Sequence, residues 1–132
     1  MGWLLHDQGK LDDAESLLRE AVDASSATLP EGHRTRLRAH GWLADVYRAQ
    51  GKLQQARALV DERVLAAARE ALGAKVDTTL MLEVIEARLR VAEGGGLEPL
   101  RAALGRMSEA LGPLHPETRR CKEALDKEVR EG

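Results

Sequence analysis

A ten-residue segment of this chain recurs 42 residues further on, and no other feature narrows the possible folds as much. Gln8-Gly9-Lys10-Leu11-Asp12-Asp13-Ala14-Glu15-Ser16-Leu17 lies over Gln50-Gly51-Lys52-Leu53-Gln54-Gln55-Ala56-Arg57-Ala58-Leu59, offset by 51 − 9 = 42, and six of the ten positions are identical. A fainter third copy, with one or two extra residues in its turn, is Glu93-Gly94-Gly95-Gly96-Leu97-Glu98-Pro99-Leu100. Self-similarity at a fixed period of roughly 20 to 50 residues means stacked units, each too small to bury its own apolar face and stable only against its neighbours.

The segments between copies repeat as well: Leu29-Pro30-Glu31-Gly32-His33-Arg34-Thr35, then Leu72-Gly73-Ala74-Lys75-Val76-Asp77-Thr78, then Leu111-Gly112-Pro113-Leu114-His115-Pro116-Glu117-Thr118. Each places turn formers ahead of a helix-starting residue. Between them the apolar residues follow a helical period. Ala39, Leu43, Val46 and Tyr47 form one stripe, Leu53, Ala56, Leu59, Val60, Val64 and Leu65 a second, and Leu11, Ala14, Leu17, Leu18, Ala21 and Val22 a third. Helices are therefore expected near 2 to 8, 11 to 27, 36 to 50, 53 to 72, 77 to 93, 98 to 111 and 117 to 130. Gly9 and Gly51 should end helices in the left-handed conformation, and Pro99 and Pro116 sit where a first turn tolerates proline. Two antiparallel helices joined by so short a turn need small residues where they meet, a role that falls to Ala44 and Ala56 and, in the first unit, to Gly2 and Ala14.

Composition agrees with helices. The apolar 43% is nearly all Leu, Ala and Val; aromatics are 2%, limited to Trp3, Trp42 and Tyr47. Leu and Ala favour helix, whereas strands draw on β-branched and aromatic residues. A net charge of −2 with 32% charged residues offers no global field to gather nucleic acid or an anionic membrane. With Cys121 as the single cysteine, an intrachain disulfide and a multi-thiolate zinc site are both excluded. No apolar run approaches the roughly 20 residues needed to span a bilayer.

A unit of about 42 residues with Gln-Gly-Lys-Leu-x-x-Ala at its inner turn and Leu-Gly-x-x-His-Pro-x-Thr between units resembles the tetratricopeptide repeats (TPR) of the kinesin-light-chain type. Leu111 to Thr118 carries the loop pattern best; the first two loops are about one residue short and lack the His-Pro pair together. The resemblance covers essentially the whole chain. It implies an all-α fold, a right-handed α-solenoid of antiparallel helix pairs whose inner helices line a concave groove that receives peptides. Residues 1–132 are then one domain: a partial repeat at 1–34, a repeat at 35–76, a degenerate repeat at 77–115 and a capping helix at 116–132. The first stripe begins at Met1, which leads us to expect a parent chain that continues upstream.

Chemistry has few candidates. Gly94-Gly95-Gly96 lacks the preceding strand and the Gly-Lys-Ser or Gly-Lys-Thr ending of a phosphate loop and reads as a loosened turn. His6, His33, His40 and His115 have no spacing that places two ligands on one helix face, and His115 before Pro116 is expected to order its loop and start the last helix. Asp12, Asp13 and Glu15 suit the first turn of a helix rather than acid–base work. Ser25-Ser26 has no recognisable His and Asp partners, and Cys121 lies on an apolar stripe. No catalytic residue, cofactor or metal site is assigned.

Arg34, Arg36 and Arg38 make the one local charge signal. Spacings of seven and three residues bring Arg38, Asp45 and Arg48 to one side of their helix, and Arg88 extends that surface in the third unit. The expected peptide-binding set is therefore Arg34, Arg38, Asp45, Arg48 and Arg88, read against the alternative of an ordinary solvated face. The stacked helix pairs and the arginines lead us to expect a protein-interaction module that binds a peptide or helix, acidic in character; the single cysteine suits a cytoplasmic place, and the resemblance implies a larger bacterial signalling or regulatory protein around it. The alternative is structural self-association, with a homodimer formed through the truncated first helix at Leu4 and Leu5. Membrane is excluded, and nucleic acid is disfavoured because no aromatic stacking platform accompanies the arginines.

Overall fold

The computed structural model describes residues 8–131 of the chain. Among the described residues seven helices follow one another: α1 (Gln8–Thr28), α2 (Arg34–Ala49), α3 (Leu53–Leu59), α4 (Glu62–Leu72), α5 (Asp77–Ala92), α6 (Glu98–Leu111) and α7 (Pro116–Glu131). The described residues contain no strand. Helix α1 packs on α2, α2 on α3 and α5, α5 on α4 and α6, and α6 on α7. The fold is thus all-α and built of stacked helix pairs, with α2, α5 and α7 in one layer and α1, α3–α4 and α6 in the other.

One continuous core joins the units, running from Leu11, Ala14 and Leu18 of α1 through Leu43 and Val46 to Leu82, Ile85, Leu100 and Met107. Helix α5 is its axis: from Thr78 to Leu89 every residue except Glu83 is buried. The small residues act as the hairpin geometry requires, since Ala44 and Ala56 are both fully enclosed where α2 meets α3. The tight turn between them uses Gly51 at φ +81°, with the Lys52 amide donating to the Tyr47 carbonyl at 2.8 Å. The slack Gly94 to Gly96 turn closes in a comparable way, with Gly94 and Gly96 both at positive φ and the Gly95 amide on the Arg90 carbonyl at 2.7 Å.

Two expectations fail locally. The helix expected over 53 to 72 is broken at Val60 and Asp61, where Val60 is extended (φ −133°, ψ 86°) and the Asp61 carboxylate accepts the Val64 amide at 3.0 Å. Aspartate stabilises a helix start better than a helix interior, because its side chain competes for nearby backbone donors. The turn expected at Gly9 is instead helix, since α1 begins at Gln8. Glycine in a helix costs about 1 kcal/mol, less than what burial of Leu11, Ala14 and Leu18 contributes at about 1.5 to 3 kcal/mol for each large side chain. The helix expected over 2 to 8 lies, apart from Gln8, outside the described residues, as do Gly2, Leu4, Leu5 and His6.

Histidines start two of the helices. His115 Nδ1 accepts the Glu117 amide at 3.1 Å, as its place before Pro116 suggests. His33 Nδ1 accepts the Thr35 amide at 3.1 Å in the same way, although Arg34 rather than proline follows it. Both caps satisfy a helix donor that has no intrahelical acceptor. Pro99 and Pro116 do fall in first helical turns.

Candidate interaction face

The five charged residues singled out by their spacing all lie in the α2–α5–α7 layer, and most of their contacts are with one another or with neighbouring helices. At the N-terminal ends, Arg34 Nη2 reaches Asp77 Oδ2 at 3.0 Å and Arg34 Nε donates to Thr78 Oγ1 at 3.2 Å. At the other end, Arg88 Nη1 lies 3.3 Å from Asp45 Oδ1, and Arg48 Nε donates to that same oxygen at 2.9 Å. Both interhelical pairs join residues 43 apart (77 − 34 and 88 − 45). Helices α2 and α5 therefore run parallel and in register, with opposite charges at equivalent positions of successive units.

Between the two ion pairs the helices approach closely at Gly41. A Cβ built there would stand 2.8 Å from Leu82 Cδ2, 3.2 Å from Met81 Cε and 3.3 Å from Ile85 Cδ1. The missing side chain is what lets α5 sit so near. Asp45 and Arg88 are each 2% exposed in their side chains, so this pair is part of the interior. Burying two charges costs several kcal/mol per ion unless they are paired and hydrogen-bonded. Here Arg48 gives Asp45 a second donor.

Arg38 extends the layer to α7. Its guanidinium donates to Thr78 Oγ1 at 3.2 Å, lies 3.4 Å from Glu117 Oε1 and rests over the Trp42 ring at 4.9 Å. A cation over an indole face contributes about 0.5 to 2 kcal/mol, more as it is desolvated. Arg34 is the one member largely open to solvent, at 58% of its side chain, while Arg38 and Arg48 are mostly covered. Arg36, on the same helix, turns away and donates to the Leu29 carbonyl at 3.0 Å.

Spacing alone missed Trp42, Thr78 and Glu117, yet signals for all three were present. Trp42 stands four residues beyond Arg38, within reach on one helix face. Aligning the three loops on Thr35, Thr78 and Thr118 places Arg34, Asp77 and Glu117 at the same position, a change of sign that already suggests pairing. Cys121 is buried on α7, and its thiol is pushed well above the ordinary range by burial and by the neighbouring Glu117 carboxylate. It stays a protonated, unreactive thiol at neutral pH.

On the opposite side of α5 the other layer is open. A groove of about 480 Å³ lies between α4 and α6, and its floor is α5. Glu83 is held there by Arg69 at 2.9 Å and Arg106 at 3.5 Å, and Glu86 by Arg90 at 2.6 Å and Arg57 at 3.0 Å. Burial works against the charge of Arg57, but its bonds to Glu93 and Glu86 outweigh this and hold the guanidinium above its ordinary range.

Among the described residues no group of three or more His, Cys, Asp or Glu side chains could hold a metal ion. No helix among them is long and apolar enough to cross a membrane. A family model described as tetratricopeptide repeat matches residues 5–76. No curated protein and no solved structure matches the chain.

Proposed function

The chain belongs to the tetratricopeptide repeat family, whose repeats are non-catalytic and generally mediate protein–protein interaction, and on that premise we propose that it is an interaction module that receives an acidic segment of a partner on the α2–α5–α7 face. The supporting observation is the division of labour among the five charged residues. Asp45, Arg48 and Arg88 hold α2 and α5 in register, while Arg34 stays largely open to solvent with the mostly covered Arg38–Trp42 stack on the same helix. A guanidinium carries five N–H donors, and Arg34 engages Asp77 and Thr78 through two of its nitrogens, which leaves donors for a carboxylate.

Labelled twelve-residue peptides rich in Glu and Leu, or in Lys and Leu, test this by fluorescence anisotropy. The acidic peptide is expected to bind, to weaken as salt rises, and to lose at least fivefold in affinity in Arg34→Glu. Equal binding of both peptides, or no effect of Arg34→Glu, contradicts the reading. The loop Leu111 to Thr118 supports a kinesin-light-chain-like type, that resemblance is the ground for a larger bacterial regulatory protein around the module, and the single cysteine suits a cytoplasmic place.

A second reading, self-association, has one observation in its favour. Leu17 on α1 is 54% exposed, with Ala21 and Ala24 also exposed on the same flank. Light scattering should then find a concentration-dependent dimer that Leu17→Glu abolishes.

A further inference from the structure

The groove between α4 and α6 is electrically polarised along its length, and this property is independent of the α2–α5–α7 face. Helix α4 contributes Glu62 at its first turn and Arg69 near its end; α6 contributes Glu98 at its first turn and Arg106 further on. Both helices run antiparallel to α5, because Glu83 of α5 meets Arg69 and Arg106 while Arg90 meets Glu62 at 3.7 Å. They are therefore parallel to each other. Glu62 and Glu98 stand at one end of the groove, with Arg90 beside Glu62 on the floor, and Arg69 and Arg106 stand at the other around Glu83, so each end keeps an excess of one sign.

The separation is set by helix geometry. Seven residues from Glu62 to Arg69 and eight from Glu98 to Arg106 correspond to about 10 to 12 Å along the axis. Between the two ends the walls present Leu65 and Ala102, while the α5 floor carries Ala87 beside the paired Glu83 and Glu86. The charged rims are open to solvent, Arg106 by 53% and Glu62 by 76% of their side chains. Each rim arginine spends one nitrogen on Glu83 and keeps other donors for an incoming carboxylate.

We propose that this groove docks one face of an α-helix from a partner protein, laid antiparallel to α4 and α6, with an acidic residue and a basic residue seven or eight positions later. The acid meets Arg69 and Arg106, the base meets Glu62 and Glu98, and a Leu-sized side chain between them covers Leu65 and Ala102. Acids early and bases late are also what the helix dipole favours in the incoming helix itself. Charge complementarity selects this occupant: an acidic segment repels one end of the groove, and a basic segment repels the other.

Three sixteen-residue alanine-based helical peptides, each with Leu at the waist, test this against the full chain. One carries Glu and then Arg seven residues later, one carries Glu at both places, and one carries Arg at both. The mixed peptide is expected to bind at least tenfold more tightly than either other, with amide shifts at Leu65, Ala87 and Ala102 in NMR spectra. Arg106→Gln and, at the opposite rim, Glu98→Gln are each expected to lower that preference several-fold. Three equal affinities, or no binding of the mixed peptide, overturn the proposal. Preference for the all-Glu peptide with shifts at Arg34 and Trp42 also overturns it, and supports the acidic-partner reading instead.

Discussion

The two sides of α5 use the same residue types to opposite ends. Towards α2, the Asp45–Arg88 pair is sealed in the interior beside a glycine that brings the backbones together. Towards α4 and α6, Glu83 and Glu86 are also clamped by arginines, but those arginines reach solvent and the flanking helices stand apart over a groove. What differs is desolvation. A buried pair contributes little net stability against an apolar replacement, yet it strongly penalises any register that leaves a charge alone. A pair whose arginine stays in solvent imposes a smaller penalty, even with Glu83 and Glu86 largely covered, and leaves its side of the helix free for other work.

This contrast can be broken most forcefully at Arg88. Arg88→Ala leaves Asp45 in the interior with Arg48 alone, and chemical denaturation should show a loss of about 3 to 5 kcal/mol. Gly41→Leu comes next. It forces bulk against Leu82, Met81 and Ile85, and the expected cost is about 1 to 3 kcal/mol by overpacking; a variant that melts like the parent would mean that α2 and α5 are not close there. Removing the cap in Asp61→Ala should cost about 1 kcal/mol, with a loss confined in hydrogen exchange to the first turn of α4. Smallest of all, Arg106→Ala on the open side should change stability by no more than about 0.5 kcal/mol. A loss there comparable to that of Arg88→Ala would erase the distinction between the two sides.

The sequence carried the architecture because stacking needs only a repeated apolar period, and that period was visible in Leu53, Ala56, Val60 and their counterparts. It carried the membership of the charged cluster as well: Arg34, Arg38, Asp45, Arg48 and Arg88 do share one layer. Their degree of burial was not legible, because it depends on what α5 and α7 place opposite them. A spacing rule on α2 alone cannot see Asp77, Thr78 or Glu117. The break at Asp61 was hidden for a different reason. The apolar stripe of 53 to 72 continues unbroken through it, and a single capping carboxylate decided the local backbone against the period. Gly41 is itself a legible signal, since a glycine inside a helical stripe marks a close approach of another element.

The account depends most on the claim that opposite charges at equivalent positions hold neighbouring units in register, and a double-mutant cycle on Asp45→Ala and Arg88→Ala measures this directly. The two losses should be strongly non-additive, with the double variant more stable than the sum of the single losses allows by about 1 to 3 kcal/mol. Simple additivity, with a coupling near zero, would mean that the pair is incidental to how α2 and α5 align.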